Sequence, residues 1–149
     1  MSRLSGIVVS VSVLAASLAF DARQDAQASS LMTACKVDID TLCKGVKEGR
    51  GRVSACLFAH DTKVSGTCKP ELAKVTGSST FKKMLPASLN SLHGSDQAAA
   101  LQQTCGNDIK AQCGGVGAGT DKVLACLYSR SSSISKPCYA KAKALIEGE

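Results

Sequence analysis

The chain has 149 residues, eight of them cysteine, with 44% hydrophobic residues and a formal charge of +6. This length allows one ordinary domain or two very small ones, and the 3% of aromatic residues, with no Trp, excludes a large core built on aromatic rings. Because small domains with thin cores are usually held by cross-links or metals, the eight cysteines are the first feature to explain.

The first predicted element is a secretory signal peptide over residues 1–28. Arg3 gives the positive start, residues 7–20 are an unbroken run of apolar and small residues, and an Ala-Gln-Ala cleavage site ends at Ala28. A cut after Ala19 is an alternative. The apolar run is shorter than the roughly 20 residues that a helix needs to cross a bilayer. We therefore expect cleavage, export to the periplasm or the extracellular space, and no stable membrane insertion of the mature chain.

The positive charge is retained in the mature chain. Two basic and two acidic residues are lost with the signal peptide, so the formal charge stays at +6. Such a charge favours an anionic partner, either an unknown protein or an anionic component of the cell envelope, and export argues against nucleic acid. A basic balance also serves simply to keep a protein soluble, and the charge alone does not separate the two.

The mature chain contains two copies of one unit. Cysteines at 35, 43, 56 and 68 are followed by cysteines at 105, 113, 126 and 138, so the same spacings recur at an offset of 70. Nine further positions are identical in this register, which gives the pattern C-x2-D-I-x3-C-x-G-V-x2-G-x3-V-x-A-C-L-x7-S-x2-C. We divide the mature chain into repeat 1 (29–75), a connector (76–94) and repeat 2 (95–149).

The first part of repeat 1 has the periodicity of an amphipathic helix. Apolar side chains recur every three or four residues from Leu31 to Cys43. This pattern predicts a first helix that begins after Ser29 or Ser30 and ends near Val46.

Two shorter helices are predicted to complete the repeat. Glycines at 49 and 51 form a turn, apolar residues between Val53 and Val64 mark a second helix, and Ser65 caps a third helix that starts at Cys68. No stretch shows the alternation of a strand. The predicted fold class is all-α, with two disulfide-stapled helical-hairpin repeats joined by a partly helical connector.

The hairpin geometry predicts how the cysteines pair. In an antiparallel hairpin the end of helix one lies beside the start of helix two, and the two far ends also meet. The predicted bridges are nested: Cys35–Cys68, Cys43–Cys56, Cys105–Cys138 and Cys113–Cys126. Four cysteines permit three connectivities, and spacing alone does not choose among them. Zinc binding is the rival use of the cysteines, but the sequence lacks a C-x2-C knuckle and carries an export signal, so no metal or cofactor is expected.

The connector between the repeats combines features of a linker with apolar residues. It is rich in Ser and Gly and contains Pro86. Its large apolar residues are Phe81, Met84, Leu85, Leu89 and Leu92. Because a fully flexible linker would not carry them, we expect part of this segment to be helical and to pack on the repeats.

The sequence contains no recognisable catalytic constellation. His60 and His93 are the only histidines, and neither recurs in the other repeat, where Arg130 replaces His60. Eight cysteines in two matched sets leave no thiol for nucleophilic catalysis. We expect both histidines at the surface and a protein that is not an enzyme. The glycine-rich segment 114–119 lacks the Lys of a phosphate-binding loop and follows no strand, so it is interpreted as a flexible turn.

Basic residues gather at the turn between the first two predicted helices of repeat 1. The candidate binding residues are Lys44, Lys47, Arg50 and Arg52. Repeat 2 has only Lys122 nearby. This cluster is the predicted surface for an anionic partner, and a solvated basic loop is the alternative.

Asp38 and Asp108 are the only acidic residues that recur between the repeats. A carboxylate near a helix N-terminus accepts backbone N–H bonds and is favoured by the helix dipole, so a structural role is expected. Contact with a basic partner is the alternative.

The repeated unit, with its C-x2-D-I-x3-C start and its V-x-A-C-L and S-x2-C segments, resembles the cysteine-rich repeat of the Golgi apparatus protein 1 family, also described as a cysteine-rich fibroblast growth factor receptor. The resemblance covers residues 35–75 and 105–145. In that family many repeats form a luminal, membrane-anchored ectodomain that binds proteins and has no enzymatic activity, and small exported bacterial proteins carry a few copies. The resemblance implies the fold and the disulfides, whereas growth-factor binding and adhesion do not carry over to a chain with two repeats and no C-terminal anchor.

Together these features predict an exported, non-catalytic binding or structural module of the cell envelope or extracellular space. The alternative is a cationic effector that acts on membranes or other cells, which the charge and the stapled helices would suit.

Overall fold

The computed structural model describes residues 29–148, and the predicted signal peptide lies outside them. Every regular element of this range is helical, which confirms the all-α class. Residues 29–34 are helical and come first. They are followed by α1 (Lys36–Leu42), α2 (Arg52–Ala59), α3 (Cys68–Gly77), α4 (Ser79–Met84), a 3-10 helix (Ala87–Leu92), α5 (Asp96–Gln112), α6 (Thr120–Ser129) and α7 (Lys136–Glu147).

Two predicted helices end earlier than their apolar patterns suggested. The first stops at Leu42 instead of near Val46, because the chain turns at Gly45, whose φ of 79° is left-handed. The second stops at Ala59, and the apolar Val64 belongs to the turn that follows. Val64 is nevertheless buried, so its apolar character reflects packing in the core and not helix formation.

All eight cysteines are paired, and the pairs are the nested ones expected for a helical hairpin. The bridges are Cys35–Cys68, Cys43–Cys56, Cys105–Cys138 and Cys113–Cys126. The outer bridges have Cα–Cα distances of 4.6 and 4.8 Å, and the inner ones 5.9 and 5.8 Å. Every one of these cysteines is buried, so the sulfurs supply part of the core that the scarce aromatic residues do not.

Helices α2 and α6, the equivalent elements of the two repeats, form the most extensive helix pair of the described chain. Helix α2 is buried on two faces: Val53 and Leu57 pack within repeat 1, whereas Ala55 and Ala59 join a core shared with repeat 2. Short alanine side chains let two helices approach closely. This contact explains why the Ala of V-x-A-C-L is repeated.

The connector packs as its apolar content predicted. It forms α4 and the 3-10 helix, and Phe81, Leu85 and Leu89 are each less than 10% exposed. All three belong to the core that includes repeat 2. The connector is therefore a packed part of the fold.

The repeated acids have a structural role in both repeats. Asp38 accepts hydrogen bonds from the backbone N–H and the hydroxyl of Ser65, at 2.9 and 2.7 Å. Asp108 makes the same pair of bonds to Ser135, at 3.0 and 2.7 Å. The partner lies 27 residues along the chain, so each Asp ties the first helix of its repeat to the start of the third, beside the outer bridge.

Candidate functional site

The candidate binding residues lie on one segment, residues 44–52, which we call the basic loop. Lys44, Lys47 and Arg50 are exposed. Arg52 is only partly exposed, and its guanidinium donates to two loop carbonyls, Lys47 at 2.9 Å and Glu48 at 2.6 Å. The structure thus separates three outward-facing cations from a fourth that fixes the conformation of the loop.

Arg50 has an unusual backbone conformation. Its φ of 52° makes it the only non-glycine residue of range 29–148 in the left-handed region, and it lies between Gly49 and Gly51, which are also left-handed. An L-residue in this region is strained by roughly 1–2 kcal/mol. The hydroxyl of Tyr128, in repeat 2, donates to the Arg50 carbonyl at 2.6 Å and holds this turn in place. Burial raises the pKa of Tyr128, against the opposing effect of Arg52 and Arg50, so the phenol stays protonated and able to donate.

Repeat 2 also contributes a cation that the sequence did not assign to the site. The guanidinium of Arg130 donates to the Lys44 carbonyl at 2.9 Å and so places its charge beside the basic loop. Arg130 is the repeat 2 counterpart of His60. The alignment of the two repeats shows that Arg130 replaces His60. It does not show that Arg130 lies beside the basic loop, because that position depends on how the repeats pack.

His60, the repeat 1 counterpart of Arg130, also lies where the two repeats meet. The prediction that it is a surface residue is wrong. His60 is 7% exposed, because it lies where the end of α2 meets the glycine-rich turn of repeat 2 and hydrogen-bonds the backbone of Gly115. Its Nδ1 atom is buried without a partner among the described residues. Burial lowers the pKa of His60; the hydrogen bond with Gly115 opposes this effect, and the charges of Lys63 and Arg130 add to it. His93, by contrast, is exposed.

The glycine-rich turn, residues 114–119, is fixed to repeat 1. The N–H of Gly117 donates to the Ala59 carbonyl at 2.8 Å. Lys122, the counterpart of Arg52, pairs with Asp61 at 2.6 Å and lies over the ring of Phe58, 3.3 Å from its centroid. The Lys122 side chain is 13% exposed. Repeat 2 therefore uses its cation inside the protein, whereas repeat 1 presents cations outward.

Two cavities adjoin the basic loop, and Arg50 and Tyr128 line both. The larger, about 680 Å³, lies between repeat 1 and α4 and is lined mainly by apolar side chains. The smaller, about 280 Å³, lies between the loop and α7. No sequence pattern indicated either cavity, since each is walled by segments far apart in the chain.

Within residues 29–148, no three His, Cys, Asp or Glu side chains are grouped closely enough to hold a metal ion. None of the helices described there combines the length and apolarity that a bilayer crossing requires. What the site presents is a constrained cationic surface next to an apolar groove, an arrangement suited to holding an anionic group.

Comparison with known proteins finds a family model that matches part of the chain. Residues 16–65 match the family model Cys_rich_FGFR, described as a cysteine rich repeat. The matched range contains the first three cysteines and the whole basic loop. No curated protein and no solved structure matches the chain.

Proposed function

We propose that this chain, whose residues 16–65 match a cysteine rich repeat model, is an exported, non-catalytic module that binds an anionic partner through the basic loop. Four disulfides in so short a chain support export, because such bonds persist in the periplasm and the extracellular space. The partner is an unknown protein or an anionic component of the envelope.

The observation that carries this proposal is the bracing of the basic loop by both repeats. Arg52 fixes it from within, while Tyr128 and Arg130 hold the carbonyls of Arg50 and Lys44 from repeat 2. A loop held in one conformation loses little conformational entropy when it binds, so more of the interaction free energy appears as affinity.

The charges on the loop do little for the fold itself. The ion pairs found within residues 29–148 lie elsewhere, and exposed pairs are worth only about 0 to 1 kcal/mol. Steering toward an anionic partner instead depends on the summed field of Lys44, Lys47, Arg50 and Arg130, and it weakens as salt screens that field.

The test removes the three outward-facing charges and leaves Arg52 in place. The variant Lys44→Gln/Lys47→Gln/Arg50→Gln should lose capture of partners from the exported fraction, while its thermal midpoint stays nearly unchanged. The control has the same change in net charge at exposed lysines outside the loop: Lys69→Gln/Lys110→Gln/Lys136→Gln. Equal loss in both variants would indicate diffuse charge attraction and contradict a defined site.

The cationic effector makes a different prediction. It requires the oxidised protein to release dye from anionic vesicles at the concentrations at which it binds them. Capture of a partner without leakage supports the binding module, and leakage abolished by the same triple variant would reject it in favour of the effector.

A further inference from the structure

The larger cavity is an apolar groove between repeat 1 and the connector. Its walls are formed by Leu31 and Met32 from the N-terminal helical residues, Val53 from α2, Val75 from α3, and Phe81 and Met84 from α4. Its volume of about 680 Å³ falls within the roughly 300–1,000 Å³ usual for small-molecule sites. Two of the wall residues are methionines, whose unbranched side chains adapt to ligands of irregular shape.

The basic loop forms one rim of this groove and comes close to its wall. A Cβ atom built on Gly51 would lie 2.6 Å from the Met84 sulfur, so the absence of a side chain at 51 lets the loop lie directly against α4. The left-handed turn at 49–51 therefore places Arg50 at the mouth of an apolar channel.

The charge at the rim is positive. Arg50 lines the groove, and Arg52 is held next to it through the carbonyl of Glu48. Glu48 also lines the groove and offsets the charge of Arg50 there, so the net positive charge comes from Arg52, which lies outside the lining and donates to the Glu48 carbonyl at 2.6 Å. An apolar groove with a cation at its rim is complementary to an anion with a long hydrocarbon chain.

We propose that the groove binds one long-chain fatty acid, with its chain along the apolar walls and its carboxylate at Arg50. A single concavity with the volume of a small-molecule site favours one small ligand over a second copy of the chain, which would have to bury roughly 800 Å² per partner. This inference rests on the proposed function only because Arg50 is assigned to both sites, the anionic partner's and the fatty acid's.

Direct titration of the oxidised protein with palmitate, kept below its micelle concentration, tests this assignment by calorimetry. We expect one saturable site with a dissociation constant in the micromolar range. Hexadecanol, which has the same chain without the charge, should bind at least about tenfold more weakly, and Arg50→Gln should weaken palmitate binding by a similar factor. Absence of saturable binding, or equal affinity for hexadecanol and palmitate, would overturn the proposal.

A groove-filling variant separates the apolar part of the site from the charge. Ser54 lines the groove from α2, and Ser54→Phe should abolish palmitate binding. Ser132→Phe, at an exposed position of repeat 2, is the matched control and should bind palmitate normally. Circular dichroism and the thermal midpoint establish that both variants fold.

Failure of this inference can be told apart from failure of the proposed function. Lys44→Gln/Lys47→Gln should lose partner capture but keep palmitate binding, because neither lysine lines the groove. Ser54→Phe should do the reverse. A dimer in sedimentation equilibrium that Ser54→Phe converts to a monomer would show that a second copy covers the groove, and this would overturn the fatty-acid assignment.

Discussion

Replacing Asp38 by Ala should destabilise repeat 1 through the loss of two hydrogen bonds that connect its first and third helices. Both bonds end on the Asp38 carboxylate, at 2.9 and 2.7 Å, and the residue is only 6% exposed. Because the carboxylate is buried whereas Ser65 is exposed, water can replace these bonds only from the Ser65 side. The backbone N–H of Ser65 would be left without its acceptor, whereas the Ser65 hydroxyl keeps contacts with Thr67 and the Cys68 N–H.

The expected loss of unfolding free energy follows from these contacts. Hydrogen bonds to charged groups contribute about 1.5–3 kcal/mol each, and the Ser65 hydroxyl recovers part of its bonding, so we expect a loss of about 2–3 kcal/mol. For a domain of this size that corresponds to a drop of roughly 10 °C in thermal midpoint. The equivalent change at Asp108, which is more exposed, should cost about half as much.

Guanidinium unfolding with the disulfides intact measures this difference, and Asp40→Ala is the matched control. Asp40 lies on the same helix and pairs with Lys36, but their side chains are 62% and 74% exposed, so its removal should cost no more than about 0.5 kcal/mol. If Asp38→Ala is no more destabilising than Asp40→Ala, the repeated Asp does not hold the helices together and the structural explanation of its repetition fails.

Two further predictions concern the cross-links and the buried histidine. Removal of the Cys35–Cys68 bridge by double substitution to Ala should lower the free energy of unfolding by about 3.7 kcal/mol, and removal of Cys43–Cys56 should lower it by about 2.9 kcal/mol. These values follow from the separations of 33 and 13 residues that the bridges close. Denaturant titration measures both losses, and a larger loss for the inner bridge would contradict the prediction. Burial lowers the pKa of His60 in the folded protein, so as pH falls below about 6.5 the unfolded chain takes up a proton first and stability declines until the folded-state pKa is reached. His60→Gln should flatten this part of the stability profile whereas exposed His93→Gln should not, and an unchanged slope in His60→Gln would show that another group is responsible.

The two repeats share a scaffold but use their loops differently. At equivalent positions Arg52 fixes a loop that presents cations to solvent, whereas the largely buried Lys122 pairs with the partly exposed Asp61 of repeat 1. Only repeat 1 places an Arg at the left-handed position of its turn, since the equivalent residue in repeat 2 is the buried Thr120. The two repeats have the same disulfide-linked helical scaffold. The residues that differ between them place the candidate site on repeat 1.

The sequence determined what depends on local periodicity and on the repeat. Apolar spacing located the helices, and the hairpin they imply led to the nested bridges, because both follow from residues close together in the chain. The packing of the connector was foreseeable for the same reason, since five large apolar residues have to be buried somewhere.

Tertiary structure decided how the repeats meet, and with it the character of the site. The bonds from Tyr128 to Arg50 and from Arg130 to Lys44 join residues 78 and 86 positions apart, and Lys122 reaches Asp61 across 61. The burial of His60 and the groove beside α4 depend on the same packing. No local pattern encodes the relative orientation of two helical hairpins, because it is set by the match between the α2 and α6 surfaces, which exists only once both repeats have folded.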